Sequence, residues 1–256
     1  MTGHRDRYYN RAKQEGYRSR SAYKLQQLDR ESDLLSAGAT VVDLGAAPGG
    51  WLQVAAEAVG PEGRVVGVDR QRIDDLEDHE VVTIRGDMTE SETRERIREV
   101  TDGVDVVVSD MAPNMTGEYE VDHARSVHLA RQALETARDL LDSGGDFVVK
   151  VFEGRDFDAF REEVEAAFEY ARVRRPDASR DSSSEVYVVG KGRLTTDLRP
   201  GDELAVEIVD TGDEGDGIAS VDGYTLFVPD ASPGEEVSVR VTDVKPRFGF
   251  AEVRSD

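Results

Sequence analysis

The chain has 256 residues, with 54 Asp and Glu against 32 Lys and Arg and no Cys at all. That length suits one large domain or a domain with a small appendage, and the missing thiols exclude disulfides, cysteine-zinc sites, cysteine nucleophiles and any reaction in which a thiolate attacks a pyrimidine ring. A formal charge of −22 makes nucleic acid a poor partner on bulk charge alone; it is also the composition of a protein working in concentrated salt, where a Debye length of about 3 Å at 1 M screens the self-repulsion.

Lysine occurs only as Lys13, Lys24, Lys150, Lys191 and Lys245, so a lysine at a motif position is informative. The basic residues gather at the N-terminus, where Arg5, Arg7, Arg11, Lys13, Arg18, Arg20 and Lys24 face only Asp6 and Glu15, with Tyr8, Tyr9, Tyr17 and Tyr23 interleaved. Arginine mixed with aromatics suits phosphate contact and base stacking. This segment lacks the apolar stretch of a signal peptide, and no run of 18 apolar residues follows it, so a cytoplasmic protein away from the membrane is expected; separately, a monomer is expected.

Short apolar runs then alternate with helical patterns, as in an α/β domain. Thr40–Leu44, Arg64–Val68, Val81–Ile84, Val104–Val108 and Phe147–Phe152 read as buried parallel strands. Gly50–Val59, Glu90–Val100, Asp122–Leu141 and Asp156–Tyr170 read as helices, and Glu185–Val189 as a last strand paired antiparallel with one near Ala171–Arg174. After Gly192 only short β-patterned runs remain, at Glu203–Val209, Gly217–Val221, Thr225–Val228, Glu236–Val241 and Phe250–Val253, which predicts a small β-barrel.

Val42 to Trp51 runs from a strand through a Gly-rich turn into a helix, a geometry that lets backbone approach a ligand at the carboxyl edge of a sheet. It departs from G-x-G-x-x-G at Ala47 and Pro48, which disfavours a pyrophosphate and favours a cofactor without phosphates. Asp69 ends the second strand, where a carboxylate can accept from both hydroxyls of a ribose. Asp87 follows the third, where it can meet an adenine amino group. His4, His79, His123 and His128 have no metal-ligand spacing with partner carboxylates; they read as surface residues, and no metal is expected.

Asp43-Leu44-Gly45-Ala46-Ala47-Pro48-Gly49-Gly50-Trp51, Ser109-Asp110-Met111-Ala112-Pro113 and Phe147-Val148-Val149-Lys150-Val151-Phe152, with Tyr17 to Leu25 before and Ser184-Glu185-Val186-Tyr187 after, resemble the FtsJ/RrmJ family of S-adenosylmethionine-dependent RNA ribose 2′-O-methyltransferases over roughly Gly16–Gly190. The resemblance implies a class I, Rossmann-like methyltransferase fold. It further implies a catalytic tetrad at Lys24, Asp110, Lys150 and Glu185, and cofactor contacts from Gly49, Trp51, Asp69, Asp87 and Asp110. These residue types suit the chemistry. A ribose hydroxyl is a weak acid whose attack on a methyl sulfonium needs orientation and loss of one proton, and an ammonium within the apolar strand around Lys150 is costly unless paired. Base amino-methylation is disfavoured, because Asp110-Met111-Ala112-Pro113 lacks the aromatic that would stack a base.

The tail from Gly201 to Glu235 resembles a TRAM domain, an OB-like barrel appended to RNA-modifying enzymes, with Lys245, Arg247, Phe248 and Phe250 as its RNA-facing candidates. Arg172, Arg174, Arg175 and Arg180 form a second basic cluster beside Glu185. The expected organisation is a methyltransferase domain over 1–192, including the basic N-terminal segment, and a TRAM domain over 193–256. The expected partner is ribosomal RNA or the large ribosomal subunit, with methyl transfer to a uridine ribose of large-subunit (23S) rRNA near the peptidyl transferase centre. The tRNA anticodon loop is the alternative substrate, and a non-catalytic RNA-binding assembly factor the alternative class.

Overall fold

A computed structural model describes residues 4–76, 79–180 and 183–254, with residues 4–6 described by backbone alone. Two helices, α1 (His4–Glu15) and α2 (Ala22–Ser32), precede the sheet, where the sequence pattern gives only a basic segment. There follow β1 (Thr40–Leu44), α3 (Gly50–Val59), β2 (Arg64–Asp69), β3 (Val82–Arg85), α4 (Ser91–Glu99), β4 (Val106–Ser109), α5 (Tyr119–Leu140), β5 (Asp146–Phe152), α6 (Phe157–Glu165), β6 (Phe168–Arg174) and β7 (Glu185–Arg193). The strand order is β3-β2-β1-β4-β5-β7-β6, parallel through β5, with β7 antiparallel between β5 and β6.

Paired valines in these strands serve two layers, because successive side chains leave opposite faces of a strand. Val42, Val66, Val107 and Val149 share a core with Val127, Leu134 and Phe160 of α5 and α6, whereas Val41, Val65, Val106 and Val148 pack with Leu25, Leu28 and Leu52 of α2 and α3. Strand order reverses between β1 and β4, and the carboxyl ends of strands at such a point form a crevice.

One expected helix is shorter than its pattern. The run Asp156–Tyr170 is helical only over Phe157–Glu165, and Phe168–Arg174 is strand. Phe168 is buried and stacks on Phe147 at a centroid distance of 5.9 Å, so pairing with β7 and this ring contact override local helical periodicity.

The tail forms β8 (Glu203–Thr211), β9 (Gly217–Val221), β10 (Tyr224–Val228), β11 (Glu236–Val244) and β12 (Phe248–Val253), closed as β10-β12-β11-β8-β9 around Ile208, Leu226, Val239 and Val241. Closure removes the exposed strand edges. The barrel docks at the start of β5 and on the turn before β6. Ser143 Oγ donates to the Pro246 carbonyl, Lys245 Nζ lies 2.8 Å from Glu169 Oε1, and Arg199 Nη2 donates to the Ala166 carbonyl at 2.6 Å. That is the amino end of the strand, opposite the crevice. No helix of the described residues is long and apolar enough to cross a membrane.

Candidate active site

Register brings the predicted tetrad together. Lys150 stands opposite Tyr187, and Phe152 opposite Glu185, in the antiparallel β5–β7 pairing. Cross-strand partners share a face, as do residues two apart, so Lys150, Tyr187 and Glu185 all face the layer of α2 and α3. Asp110 leaves the end of β4, next to β5, and Lys24 enters from the first turn of α2.

The contacts are short. Lys150 Nζ lies 2.8 Å from Asp110 Oδ1 and also donates to the Asp110 carbonyl. Lys24 Nζ lies 2.6 Å from Glu185 Oε1 and 3.8 Å from Asp110 Oδ1. Lys24, Lys150 and Glu185 are all buried, which is tolerable because two ammonium groups balance two carboxylates. Burial pushes the Asp110 carboxyl up, but the Lys150 and Lys24 charges and the donors on it outweigh that and hold it below the usual carboxylate range.

Two members of this cluster escape sequence reasoning. The Tyr187 hydroxyl donates to Asp110 Oδ1 at 2.6 Å, and the Ser179 hydroxyl to Glu185 Oε1 at 2.8 Å. Burial and the charges of Asp110 and Glu185 push the Tyr187 phenol well above its ordinary range, so it acts as a neutral donor. Its alternation with Glu185 was the available signal; Ser179, on a loop, offers none.

Beside the tetrad a cleft of about 590 Å³ crosses the carboxyl ends of β1 to β4, lined by Gly45, Asp69, Asp87, Asp110 and Met111 among others. Gly45 turns the chain with φ 79°, and a Cβ there would stand 2.2 Å from Met111 Cγ, so this position requires glycine. Asp69 accepts from the Ala47 N–H at 3.0 Å and the Gln71 N–H at 2.7 Å, one on each oxygen, which fixes its carboxylate and leaves each oxygen a lone pair. The Thr89 hydroxyl and N–H, at 2.7 and 3.0 Å, hold Asp87 and draw its carboxyl down. Asp43 is buried at the end of β1 with Oδ2 lacking any partner, and burial together with the Asp110 and Asp69 charges pushes it well up. A cleft lined by the carboxylates of Asp69, Asp87 and Asp110 fits a ligand rich in hydrogen-bond donors and free of phosphate.

Gly49 and Trp51 do not line this cleft. Gly49 has φ 108° and caps α3 beneath Arg18, whose Nη1 reaches the Pro48 carbonyl at 3.2 Å. The Trp51 indole N–H donates to the Ser21 carbonyl at 2.8 Å and its ring lies 5.9 Å from that of Tyr187. The indole therefore braces Lys24's helix against the tetrad.

The reading of the histidines as surface residues fails for His123. It is 2% exposed, its Nδ1 bonded to the Phe152 carbonyl at 2.9 Å and its Nε2 accepting from the Asp156 N–H at 3.0 Å. A helix position facing a sheet needs no apolar side chain if both ring nitrogens find backbone partners. His128 is exposed, His79 is half-buried, and the side chains of His4 and Arg5 lie outside the described residues. No group of three His, Asp or Glu among the described residues is placed to hold a metal.

The N-terminal tyrosines are also mostly committed. Tyr8 and Tyr23 are buried with Ala12 and Ala178, and Tyr17 packs against them; Tyr9 is 59% exposed. On the barrel, Lys245 is held by Glu169 and Asp243, whereas Arg247, Phe248 and Phe250 are exposed. Phe227, Phe248 and Phe250 form a ring cluster with centroids 5.6 to 5.9 Å apart.

The FtsJ-like methyltransferase family matches residues 17–193, and the TRAM domain family matches residues 197–253. A relative from Halorubrum lacusprofundi, named ribosomal RNA large subunit methyltransferase E, is 66% identical over 253 residues, 98% of this chain and 94% of that protein. One of the same name from Halobacterium salinarum is 65% identical over 256 residues, 99% of each chain. A solved structure from Plasmodium falciparum, described as a ribosomal RNA methyltransferase, shares the fold with a TM-score of 0.61 at 24% identity, over 69% of this chain and 98% of that one.

Proposed function

The chain belongs to the FtsJ-like methyltransferase family, and from that premise we propose that it transfers a methyl group from S-adenosylmethionine to the ribose 2′-hydroxyl of a uridine in large-subunit ribosomal RNA, near the peptidyl transferase centre. The observation that carries this reading is the position of Asp110, which lines the cleft and receives Lys150, Lys24 and Tyr187 on its carboxylate. One residue thereby couples the place for a methyl donor to the place for a proton acceptor.

Asp69 and Asp87 would hold the ribose and adenine of the donor, Asp110 would face its amino-acid end, and the backbone of the turn at Gly45 and Ala47 would lie against it. S-adenosylmethionine supplies, when bound, a methyl group on a sulfonium. Lys150 Nζ would receive the 2′-hydroxyl and, having passed its own proton to solvent, take the hydroxyl proton as the oxygen bonds to carbon and the carbon–sulfur bond breaks. Asp110 stabilises the resulting ammonium, and Tyr187 and Lys24 keep Asp110 aimed. The Lys24–Glu185 pair stands next to this centre and suits the phosphate flanking the target nucleotide. All four residues come from one chain, which suits a monomer, and a cytoplasmic location follows from the substrate. We place the division between a methyltransferase domain and a TRAM domain near Gly192, where β7 hands over to the barrel.

The test is methylation of large-subunit rRNA with labelled donor in molar potassium chloride, followed by alkaline hydrolysis. A 2′-O-methyl group blocks the attacking hydroxyl, so the linkage after the target should resist cleavage. Label recovered on a base after digestion to nucleosides would refute the assignment.

A further inference from the structure

The catalytic lysine belongs to a row that reaches the edge of the sheet. Lys150 faces Tyr187 across β5–β7, and Tyr187 faces Arg174 across β6–β7. Directly opposed residues share a face, so Arg174 stands two strands from Lys150, about 10 Å away at the usual strand spacing, on the same side of the sheet. Arg172 and Tyr170 follow on that face at two-residue steps along the edge strand. Tyr170 is 43% exposed, and the Arg172 guanidinium carbon lies 4.9 Å from its ring centroid.

A groove of about 220 Å³ runs between this strip and the end of α2, where Arg30 adds positive charge and Lys191 is paired with Asp146. Of its two acidic members, Glu31 is drawn to the strip itself, 3.5 Å from Arg174 Nε. One residue before Tyr170, outside the groove, Glu169 holds Lys245 of the barrel, so β6 is the strand that reaches from the catalytic row to the appended domain. Charge on an edge strand guards against sheet-to-sheet pairing. That need alone leaves the exposed tyrosine, stacked under an arginine, without a purpose. In a chain of net charge −22 a basic, aromatic strip is complementary to a polyanion with stackable rings.

We propose that the β6 edge is the track along which single-stranded substrate RNA leaves the target ribose toward the barrel, with phosphates on Arg174 and Arg172 and an unpaired base on Tyr170. This inference rests on the RNA-methylating reading above. It gives the acidic protein a defined anion path of its own, separate from the N-terminal segment, and it explains why a barrel docked opposite the crevice can still hold the same RNA.

The experiment uses the full chain with a large-subunit rRNA transcript, measuring RNA affinity and the KM for RNA across a potassium chloride series. Tyr170→Ala should weaken RNA binding about tenfold with an unchanged salt slope, since stacking releases no counterion. Arg172→Ala should weaken it and lower the slope of log affinity against log salt by about 0.7, one single-strand phosphate contact. Both should keep wild-type S-adenosylmethionine affinity, kcat and melting temperature. A photo-crosslinking residue at position 170 should capture nucleotides near the methylated one. Wild-type RNA affinity in both variants, or crosslinks from position 170 only to ribosomal protein, would overturn the track while leaving methylation by the unaltered chain intact. An unaltered chain that methylates no ribose overturns the underlying reading and the track with it.

Discussion

Lys150 Nζ and the Tyr187 hydroxyl meet on the same oxygen of Asp110, at 2.8 and 2.6 Å, because the two residues stand opposite each other in neighbouring antiparallel strands. Sheet register thus sets the spacing of the site: a slip of β7 by one residue would turn Tyr187 and Glu185 into the opposite layer, away from Lys150.

Lys150→Ala should reduce kcat by about 10³-fold or more while S-adenosylmethionine affinity stays within a few fold, since the proposed mechanism has this lysine serve the ribose. Asp69→Ala should do the reverse, raising the dissociation constant of the donor with a smaller loss of kcat at saturation. Isothermal titration and single-turnover transfer on both variants check this. Near-normal turnover by Lys150→Ala at saturating RNA would sink the mechanism.

Tyr187→Phe removes one buried hydrogen bond to a charged acceptor, an interaction of about 1.5 kcal/mol. Because Lys150 and Lys24 remain on Asp110, the expected result is a roughly tenfold fall in kcat with RNA KM and donor affinity unchanged. Wild-type kcat would show that the hydroxyl does not position the carboxylate.

The two buried carboxylates predict opposite pH effects. Asp110 is held below the usual carboxylate range, so its contribution is present above pH 4 or so and is lost as acid protonates it in the folded state. Asp43 is pushed well up. From about pH 4 upward the folded chain keeps a proton on Asp43 that the unfolded chain has released, and stability falls as pH rises through that window. Asp43→Asn, free of a buried charge, should therefore raise the melting temperature of the donor-free protein at pH 8 by at least about 2 °C, the shift that about 1 kcal/mol gives a domain of this size. An equal or lower melting temperature at pH 8, with no flattening of the pH profile, would refute it.

Concentrated salt should raise folding and activity together. Screening relieves the self-repulsion of a −22 chain, while counterion release contributes little to RNA binding when the bulk is already molar. RNA would then be held by stacking, hydrogen bonds and shape, which suits arginine over lysine. Circular dichroism and methyl transfer across a potassium chloride series check this; a fully folded protein most active in dilute buffer would show that the halophilic reading is wrong.

What the sequence alone determined are properties carried by neighbours along the chain. Paired valines bounded by glycine mark strands buried on two faces, the Gly45–Gly50 turn marks the crevice, and a lysine inside an apolar strand announces a buried charge in need of a partner. Lys24, Asp110, Lys150 and Glu185 could be named from their motifs, and the barrel from turns at regular intervals. Only the tertiary structure decided who meets whom. Tyr187 and Ser179 entered the cluster through register and a loop, Trp51 turned away from the cleft to brace α2, and His123 was buried because both its nitrogens found backbone partners. Tyr8, Tyr17 and Tyr23, which read as stacking rings, were taken by the packing of α1 on α2. The barrel's place at the amino end of β5, rather than beside the crevice, follows from contacts such as Ser143–Pro246 between residues about a hundred positions apart. Periodicity is a local signal, and pairing across such distances is chosen by burial and complementarity that no local window contains.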